Sequence, residues 1–232
     1  MNNFPKITIV TPSFNQGKFI EETILSVIGQ GYPNLEYIIM DGGSTDETIS
    51  IIEKYKDKIT YWESKKDNGQ SHAINKGFAK ASGDILGWLN SDDMLLPGTL
   101  LYVSRQLNPD KNQFLCGNCV HFEEGSIKLY GSKVKILELN DQLFGFGFIQ
   151  PSTFWTRKLW LENGNLNEDW HYVFDCEWFY RLRDIKDVEL FSTNKYLSMY
   201  RLHDSHKTGT GGSKRQEEIA KLFSFRECEV LT

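Results

Sequence analysis

The chain has 232 residues, of which 40% are hydrophobic and 13% aromatic, enough for one sizeable core with a small appended lobe. The 26 basic and 31 acidic side chains give a net charge of -5, which argues against a nucleic-acid-binding protein because such proteins normally carry a basic face. No apolar run reaches the roughly 18 residues of a membrane span, and no charged-then-apolar leader opens the chain. We therefore expect a cytoplasmic protein.

Four cysteines lie at positions 116, 119, 176 and 228. The first two have the C-x-x-C spacing of a zinc or redox pair, but no second pair is spaced to complete a zinc site. We therefore expect free cysteines in a reducing compartment, with the C-x-x-C pair on a strand.

The first hundred residues alternate between strand and helix patterns. Short runs of β-branched and other apolar residues predict strands at 7–11, 35–40, 59–62 and 85–89. Apolar residues at helical spacing predict helices at 19–28 and 73–81. Ser44 with Glu47 resembles a capping box that opens a further helix, and Pro97 suits the first turn of the next one. Repeated β-α units of this length predict a mostly parallel sheet with helices on both faces.

The pattern changes after residue 112. Strand-like runs at 113–122 and 126–131, separated by a Glu-Glu-Gly turn, predict an antiparallel hairpin. The stretch 145–148 predicts a loop, and apolar residues between 178 and 185 predict an amphipathic helix. The Gly-rich stretch 208–213 predicts a mobile segment, and 216–225 predicts a terminal helix.

Polar residues follow three of the predicted strands, at 11–15, 41–44 and 90–93. The carboxyl ends of parallel strands meet at one edge of a sheet, and ligands of open α/β sheets bind beyond that edge. This convergence is the main functional signal of the sequence.

Two of these strand ends carry carboxylates that have more than one interpretation. Asp92 and Asp93 repel each other and so favour a hard divalent cation that also binds phosphate oxygens. A solvated turn, with Asp93 starting the next helix, is the alternative. Asp41 either belongs to a strand-to-helix turn or accepts a hydrogen bond from the imide N–H of a uracil. In the second case Gly42 and Gly43 would let the backbone approach the ligand.

Four motifs occur in one order along the chain: Thr-Pro-Ser-Phe-Asn at 11–15, Asp-Gly-Gly-Ser-Thr-Asp at 41–46, Asp-Asn-Gly-Gln-Ser-His-Ala-Ile-Asn-Lys-Gly-Phe at 67–78 and Leu-Asn-Ser-Asp-Asp at 89–93. Together they resemble the family 2 glycosyltransferases with the GT-A fold, over residues 6 to 205. The resemblance implies an α/β protein with a Rossmann-like, mostly parallel twisted sheet and a small antiparallel acceptor-side region. It implies a nucleotide-sugar-binding half at 1–110, an acceptor-binding and catalytic half at 111–207, and a flexible Gly-rich segment with a C-terminal helix at 208–232.

The resemblance also implies a donor site and a metal site. The residues expected to bind the nucleotide-sugar are Thr11, Pro12, Asn15, Asp41, Asp67, Gly69, Gln70, Asn75, Ser91 and Arg201. Asp92, Asn90 and His203 are expected to hold a divalent metal, Mn²⁺ or Mg²⁺. Asn90 departs from the family's Asp-x-Asp motif, which often has Asp there. Its amide still offers an oxygen, directly or through water, with lower affinity for the metal.

Residues 167–182 are similar to the family segment that carries its catalytic Asp, and the matching residue is Asp175. Asp175 precedes Trp178 and Phe179 by three and four residues, so it begins the inward-facing stripe of the predicted helix. A helix N-cap is the alternative role of this residue on sequence alone.

The acceptor side and the end of the matched region complete the expected site. Residues 148–155 resemble the family's acceptor-side wall, so Gln150, Trp155 and also His171 are expected to contact the acceptor, although the aromatics could equally belong to the core. Residues 200–207 resemble a segment that closes over the diphosphate, where Arg201 and, with less support, Lys207 would neutralise phosphate charge. A basic loop after a strand is the alternative.

The activity implied by the resemblance is transfer of a hexosyl or N-acetylhexosaminyl group from a nucleotide-sugar, expected to be a UDP-sugar, to an acceptor hydroxyl. A surface glycan or a lipid-linked saccharide is the expected acceptor. Asp175 would take the proton of that hydroxyl in a metal-assisted displacement that inverts the anomeric configuration. Contact with the inner face of the membrane and a homo-oligomer are compatible with this activity. The alternative is a nucleotide-sugar-binding module without catalysis.

Overall fold

The computed structural model describes residues 4–126, 128–134, 147–204 and 206–230. Within them the strands are β1 Ile7–Ser13, β2 Leu35–Asp41, β3 Tyr61–Ser64, β4 Ile85–Trp88, β5 Met94–Leu95, β6 Gln113–Glu123, β7 Leu129–Ser132, β8 Thr153–Thr156 and β9 Glu189–Leu202. The helices are α1 Ile20–Ile28, α2 Thr48–Lys54, α3 Gln70–Lys80, α4 Thr99–Gln106, α5 Arg157–Asn163, α6 Phe174–Arg181, α7 Lys207–Thr210 and α8 Gly212–Val230. Gly145 and Phe146 of the predicted loop lie outside the described residues.

The strands form one sheet in the order β3-β2-β1-β4-β8-β6-β9-β5, and β7 pairs with β6 beside this path. As predicted, β1 runs parallel to β2 and β4, and β2 runs parallel to β3. β8 runs antiparallel to both β4 and β6, whereas β9 runs parallel to β6. The carboxyl ends of β1, β2, β4, β6 and β9 therefore point the same way and share one edge of the sheet.

Helices cover both faces of this sheet, because side chains alternate between the faces along each strand. On β1, Ile9 packs into one buried cluster with α1, α2 and α4. Its neighbour Val10 packs into the other cluster with α3, α6 and α8. The second cluster is rich in aromatic rings, and Trp155 is its fully buried centre. The predicted arrangement of a sheet between two helical layers is thus confirmed.

Three local expectations can be compared directly with the structure. The predicted hairpin is present, since β6 pairs antiparallel with β7. The predicted capping box is wrong: α2 begins at Thr48, and Ser44 donates its hydroxyl to Asp41 Oδ1 at 2.5 Å instead. The Gly-rich stretch expected to be mobile is largely helical, because α7 ends at Thr210 and α8 begins at Gly212. Gly212 adopts φ +49°, which glycine accommodates readily at the start of α8.

Candidate functional site

A cleft of about 1080 Å³ opens at the shared carboxyl edge of the sheet. Its walls include residues that follow β1, β2 and β4, as the strand-end polar residues predict. Of the residues expected to bind the nucleotide-sugar, those that line the cleft are Pro12, Asp67, Gly69, Gln70 and Ser91. Asp92, Asn90, Asp175, Gln150 and His171 line it as well.

Asp92 and His203 are brought together although 111 positions separate them. The strand β9 ends at Leu202, beside the turn after β4, so that His203 Nε2 lies 3.0 Å from Asp92 Oδ2. The ring of Phe19 packs against the imidazole with 4.5 Å between ring centroids. Asp92 lines the cleft, and the imidazole of His203 stands directly behind its carboxylate.

Asp93 has the opposite environment from its neighbour Asp92. It is fully buried, and its Oδ1 accepts a hydrogen bond from the backbone N–H of Arg201 at 3.1 Å. Burial, together with the charge of Asp92, raises the pKa of Asp93 well above its usual value. The alternative of a solvated turn is wrong for Asp93, and the next helix, α4, begins only at Thr99.

Asn90 belongs to a chain of hydrogen bonds that crosses the cleft in one direction. Lys207 Nζ donates to Gln70 Oε1 at 3.1 Å, and Gln70 Nε2 donates to Asn90 Oδ1 at 2.8 Å. Asn90 Nδ2 then donates to Gln150 Oε1 at 3.1 Å, and Gln150 Nε2 donates to the carbonyl of Trp88 at 3.0 Å. The amide oxygen of Asn90, expected to contact the metal, is thus engaged with Gln70.

Arg201, expected to bind the diphosphate, does not line the cleft. It is only 4% exposed, and its Nε donates to the backbone carbonyl of Asp92 at 3.0 Å. Its guanidinium pairs with Glu22 and lies between two rings, 5.0 Å from the centroid of Phe19 and 4.6 Å from that of Phe122. The guanidinium therefore supports the turn that carries Asp92.

Of the two sequence candidates for a phosphate-binding cation, Lys207, the weaker one, lines the cleft. Burial lowers the pKa of Lys207 to about 8, against the opposing effect of the carboxylates of Asp175 and Glu218. The ammonium also lies 5.1 Å from the ring centroid of Phe174. A phosphate group in the cleft would meet a partly desolvated positive charge, which interacts more strongly than one in water.

Asp175 lies in the first turn of α6 and lines the cleft. Burial raises the pKa of Asp175, while the hydrogen bond that its Oδ1 accepts from Cys176 N at 2.8 Å and the charge of Lys207 lower it. The helix N-cap is Val173, so the alternative role of Asp175 as the cap is wrong. A carboxylate with a raised pKa suits a general base near neutral pH.

Two of the residues expected to bind the nucleotide-sugar, Thr11 and Asn75, do not line the cleft. Thr11 is fully buried, and its hydroxyl lies 3.2 Å from that of Tyr37. The buried Asn75 receives a hydrogen bond from Leu166 N and donates to Leu166 O and Glu168 Oε1. Both side chains face interior partners, so direct contact with a nucleotide is not the role that the structure gives them.

Hydrogen bonds to the side chains of Asp41 and Asn15 hold the turn that follows β2. Asp41 is 2% exposed, and its Oδ2 accepts from the backbone N–H groups of Gly43 and Ser44 and from Ser64 Oγ. Asn15 has φ +51°, and its Oδ1 accepts from Thr45 N at 2.9 Å. Asp41 therefore stabilises the turn, while Gly42 and Gly43 line the cleft, and contact of Asp41 with a uracil stays a prediction.

On the acceptor side the structure corrects one expectation and adds residues. Trp155 is 0% exposed within the aromatic cluster, so it is core and cannot stack on a sugar. His121 and Tyr200 line the cleft instead, paired across β6 and β9. The sequence alone gave no signal for this pair, because β9 pairs with β6 across about 70 residues of intervening chain.

Solved structures show which fold this is. S. aureus TarS in complex with UDP superposes with a TM-score of 0.71 at 18% identity, covering 95% of this chain and 64% of that chain. The mannosyltransferase PcManGT from Pyrobaculum calidifontis, in complex with GDP-Man and Mn²⁺, gives a TM-score of 0.70 at 16% identity, covering 98% of this chain and 65% of that one. The fold is the GT-A fold of glycosyltransferases, and the chain spans about two thirds of the length of these structures.

The family follows from the sequence comparison. The model described as glycosyl transferase family 2 matches residues 8–188, so the chain belongs to family 2 of the glycosyltransferases. An uncharacterized glycosyltransferase of Rickettsia typhi is 26% identical, over 95% of this chain and 71% of the relative. The GalNAc(5)-diNAcBac-PP-undecaprenol beta-1,3-glucosyltransferase of Campylobacter jejuni is 27% identical, over 93% and 71%. Within the described residues, no helix is long and apolar enough to cross a membrane.

We predict that Arg201→Met destabilises the protein by about 2–4 kcal/mol, because it removes a buried donor from the Asp92 carbonyl and a cation from between two rings. Urea unfolding measures this change. The matched variant Glu22→Gln should change stability by less than about 1 kcal/mol, since the Glu22 side chain is 58% exposed. Equal and small effects of both variants would contradict the supporting role of Arg201.

Proposed function

We propose that this glycosyltransferase transfers a sugar from a UDP-sugar to a saccharide hydroxyl, with inversion and with Asp175 as the general base. The observation that carries the proposal is that one cleft is lined by Asp175, whose pKa is raised, by Asp92, which has His203 as its partner, and by Lys207. These groups would serve a displacement at the anomeric carbon as a general base, as metal ligands and as a cation that binds phosphate.

The donor set of the cleft fits a divalent cation, Mn²⁺ or Mg²⁺. Asp92 Oδ2 and His203 Nε2 would hold it, since carboxylate and imidazole are ligands that Mn²⁺ accepts. Within the described residues no group of three or more His, Cys, Asp and Glu side chains is placed to hold a metal, so oxygens of the diphosphate and water would complete the coordination. Such a cation would neutralise charge that builds on the leaving diphosphate.

Lys207 would be the second positive group on the diphosphate, in the role that the sequence analysis gave first to Arg201. Its hydrogen bond to Gln70 holds the ammonium at the cleft in this conformation. The charge of Lys207 would stabilise the leaving group more as the bond from the anomeric carbon to the diphosphate oxygen breaks, which is where electrostatic stabilisation lowers a barrier.

Asp175 would take the proton from the acceptor hydroxyl as that oxygen forms its bond to the anomeric carbon. The nucleoside diphosphate leaves with the electron pair of the broken bond, and a single base opposite the leaving group accounts for inversion. Proton transfer of this kind contributes about 10²–10⁴ to a rate. A UDP donor is supported by the complexes of TarS with UDP and UDP-GlcNAc, and a lipid-linked acceptor by the name of the Campylobacter jejuni relative.

We predict that UDP binding depends jointly on Mn²⁺ and on Asp92. In calorimetric titrations, Asp92→Asn should weaken UDP binding in the presence of Mn²⁺ by about 10- to 100-fold or more, because it removes the charged ligand of the pair. Without metal, the variant and the wild type should bind UDP with similar, weak affinity. GDP, the nucleotide part of the PcManGT ligand, serves as the comparison nucleotide. Metal dependence that survives the substitution would exclude this metal site.

We predict that Asp175→Asn lowers kcat by about 10²–10⁴ while it leaves the affinity for UDP with Mn²⁺ unchanged, because Asp175 acts on the acceptor hydroxyl. Transfer assays over a panel of nucleotide-sugars and saccharide acceptors measure kcat, and calorimetry measures the affinity. Wild-type protein that binds UDP but transfers no sugar across the panel would support the alternative of a binding module without catalysis.

We predict a bell-shaped dependence of kcat/KM on pH, a ratio that reports the free enzyme. The rate should rise through the raised pKa of Asp175, which must be deprotonated, and fall near pH 8, where Lys207 loses its charge. Lys207→Arg should remove the fall, because a guanidinium stays charged at these pH values. The control is Lys66→Arg, at a second and exposed lysine of the cleft, which should leave the profile unchanged. A fall near pH 8 that persists in Lys207→Arg would assign it to another group.

A further inference from the structure

The segment directly before α6 is held by a carboxylate from the C-terminal helix. Glu218 of α8 accepts hydrogen bonds from three successive backbone N–H groups: His171 N to Oε1 at 3.0 Å, Tyr172 N to Oε2 at 2.7 Å and Val173 N to Oε2 at 3.2 Å. Hydrogen bonds to a charged acceptor are about twice as strong as those between neutral groups. One side chain therefore fixes three consecutive residues.

The N-cap residue of α6 provides no side-chain cap. It is Val173, whose apolar side chain cannot accept a hydrogen bond from the first turn. A negative charge near a helix N-terminus is also favoured by the helix dipole. Glu218, 45 residues further along the chain, places such a charge there, bound to the N–H groups of Val173 and of the two residues before it.

The helix α8 is well placed to hold this carboxylate still. Leu222, one turn after Glu218, is 1% exposed and belongs to the aromatic core cluster, and Ile219 packs against the same cluster. Lys221 Nζ lies 5.2 Å from the ring centroid of Trp170. These contacts fix both the helix and the start of the segment that Glu218 binds.

The bound segment carries groups of the cleft. His171 and Tyr172 line the cleft, and Asp175 follows Val173 by two residues. The charge of Glu218 also reaches the cleft directly, because it acts against burial on the pKa values of both His171 and Lys207.

We propose that Glu218 is a positioning residue, which orients Asp175 and the acceptor-side wall through the backbone of residues 171–173. This inference rests on the proposed function for the role of Asp175. The residue lies outside residues 8–188 matched by the family model, so α8 contributes a part of the site from beyond that match. A misplacement of about 1 Å at a reacting group costs about 10²-fold in rate, which sets the scale of the expected effect.

The test compares Glu218→Gln with Glu217→Gln, the neighbouring and exposed glutamate on the same helix. Gln keeps the length of the side chain, but its NH₂ group faces a backbone donor where the carboxylate had an acceptor. We expect Glu218→Gln to speed amide hydrogen exchange in peptides covering 171–176 and to lower kcat by about 10-fold or more. The affinity for UDP with Mn²⁺ should stay within about twofold, and Glu217→Gln should match the wild type in all three measurements.

Each outcome decides a different point. Unchanged exchange in Glu218→Gln would overturn the proposed contact, and faster exchange with unchanged kcat would overturn its positioning role. A loss of kcat shared with Glu217→Gln would assign the effect to the charge of the helix and overturn the proposal. If the wild type transfers no sugar over the panel, the proposed function fails, and the exchange comparison alone then decides whether Glu218 orders the segment. Circular dichroism of both variants shows whether the fold is retained.

Discussion

The hydrogen bond from the backbone N–H of Arg201 to the buried carboxylate of Asp93 joins the end of β9 to the turn after β4. A buried N–H group or carboxyl group without a hydrogen-bond partner would cost stability, so the N–H of Arg201 and the carboxyl group of Asp93 hold each other in place. Asp93 faces inward, whereas its neighbour Asp92 lines the cleft. His203, two residues after Arg201, contacts the carboxylate of Asp92. Lys207 follows four residues later. This buried contact therefore positions the end of β9, which brings His203 to Asp92 and is followed by Lys207.

The parts of the site that follow from local sequence could be predicted. A strand end with Asp or Gly makes a turn wherever the strand lies, so the edge where 11–15, 41–44 and 90–93 meet was accessible from the pattern alone. The pattern could not predict which of these side chains faces the cleft, because that depends on packing with residues far away in the sequence. The guanidinium of Arg201 packs against Phe19 and Phe122 and does not line the cleft. Trp155 lies in a stretch that resembles the acceptor-side wall of the family, but it is at the centre of the core.

Three carboxylates at this edge show how environment separates like groups. Asp93 is fully buried beside Asp92, and its pKa is well above the usual value. Burial raises the pKa of Asp175, and the charge of Lys207 limits this rise, which leaves the carboxylate suited to proton transfer. Asp92 has an imidazole partner at 3.0 Å. In the sequence all three residues are simply Asp. Their surroundings differ because the turn after β4 buries Asp93, helix α6 carries Asp175 and the end of β9 brings His203 to Asp92.

The one-way series of hydrogen bonds from Lys207 through Gln70, Asn90 and Gln150 to the Trp88 carbonyl has a consequence for the order of substrate binding. Each amide in the series is oriented by the donor before it, and such bonds polarise one another. Under the proposed function, a diphosphate that drew the ammonium of Lys207 away from Gln70 would remove the first donor and allow the Gln70 amide to reorient. The last amide, Gln150, stands on the side expected to receive the acceptor. Under the proposed function, a bound nucleotide-sugar would thereby alter the hydrogen bonds that reach Gln150 without any movement of the sheet, and an acceptor arriving second would meet that altered surface.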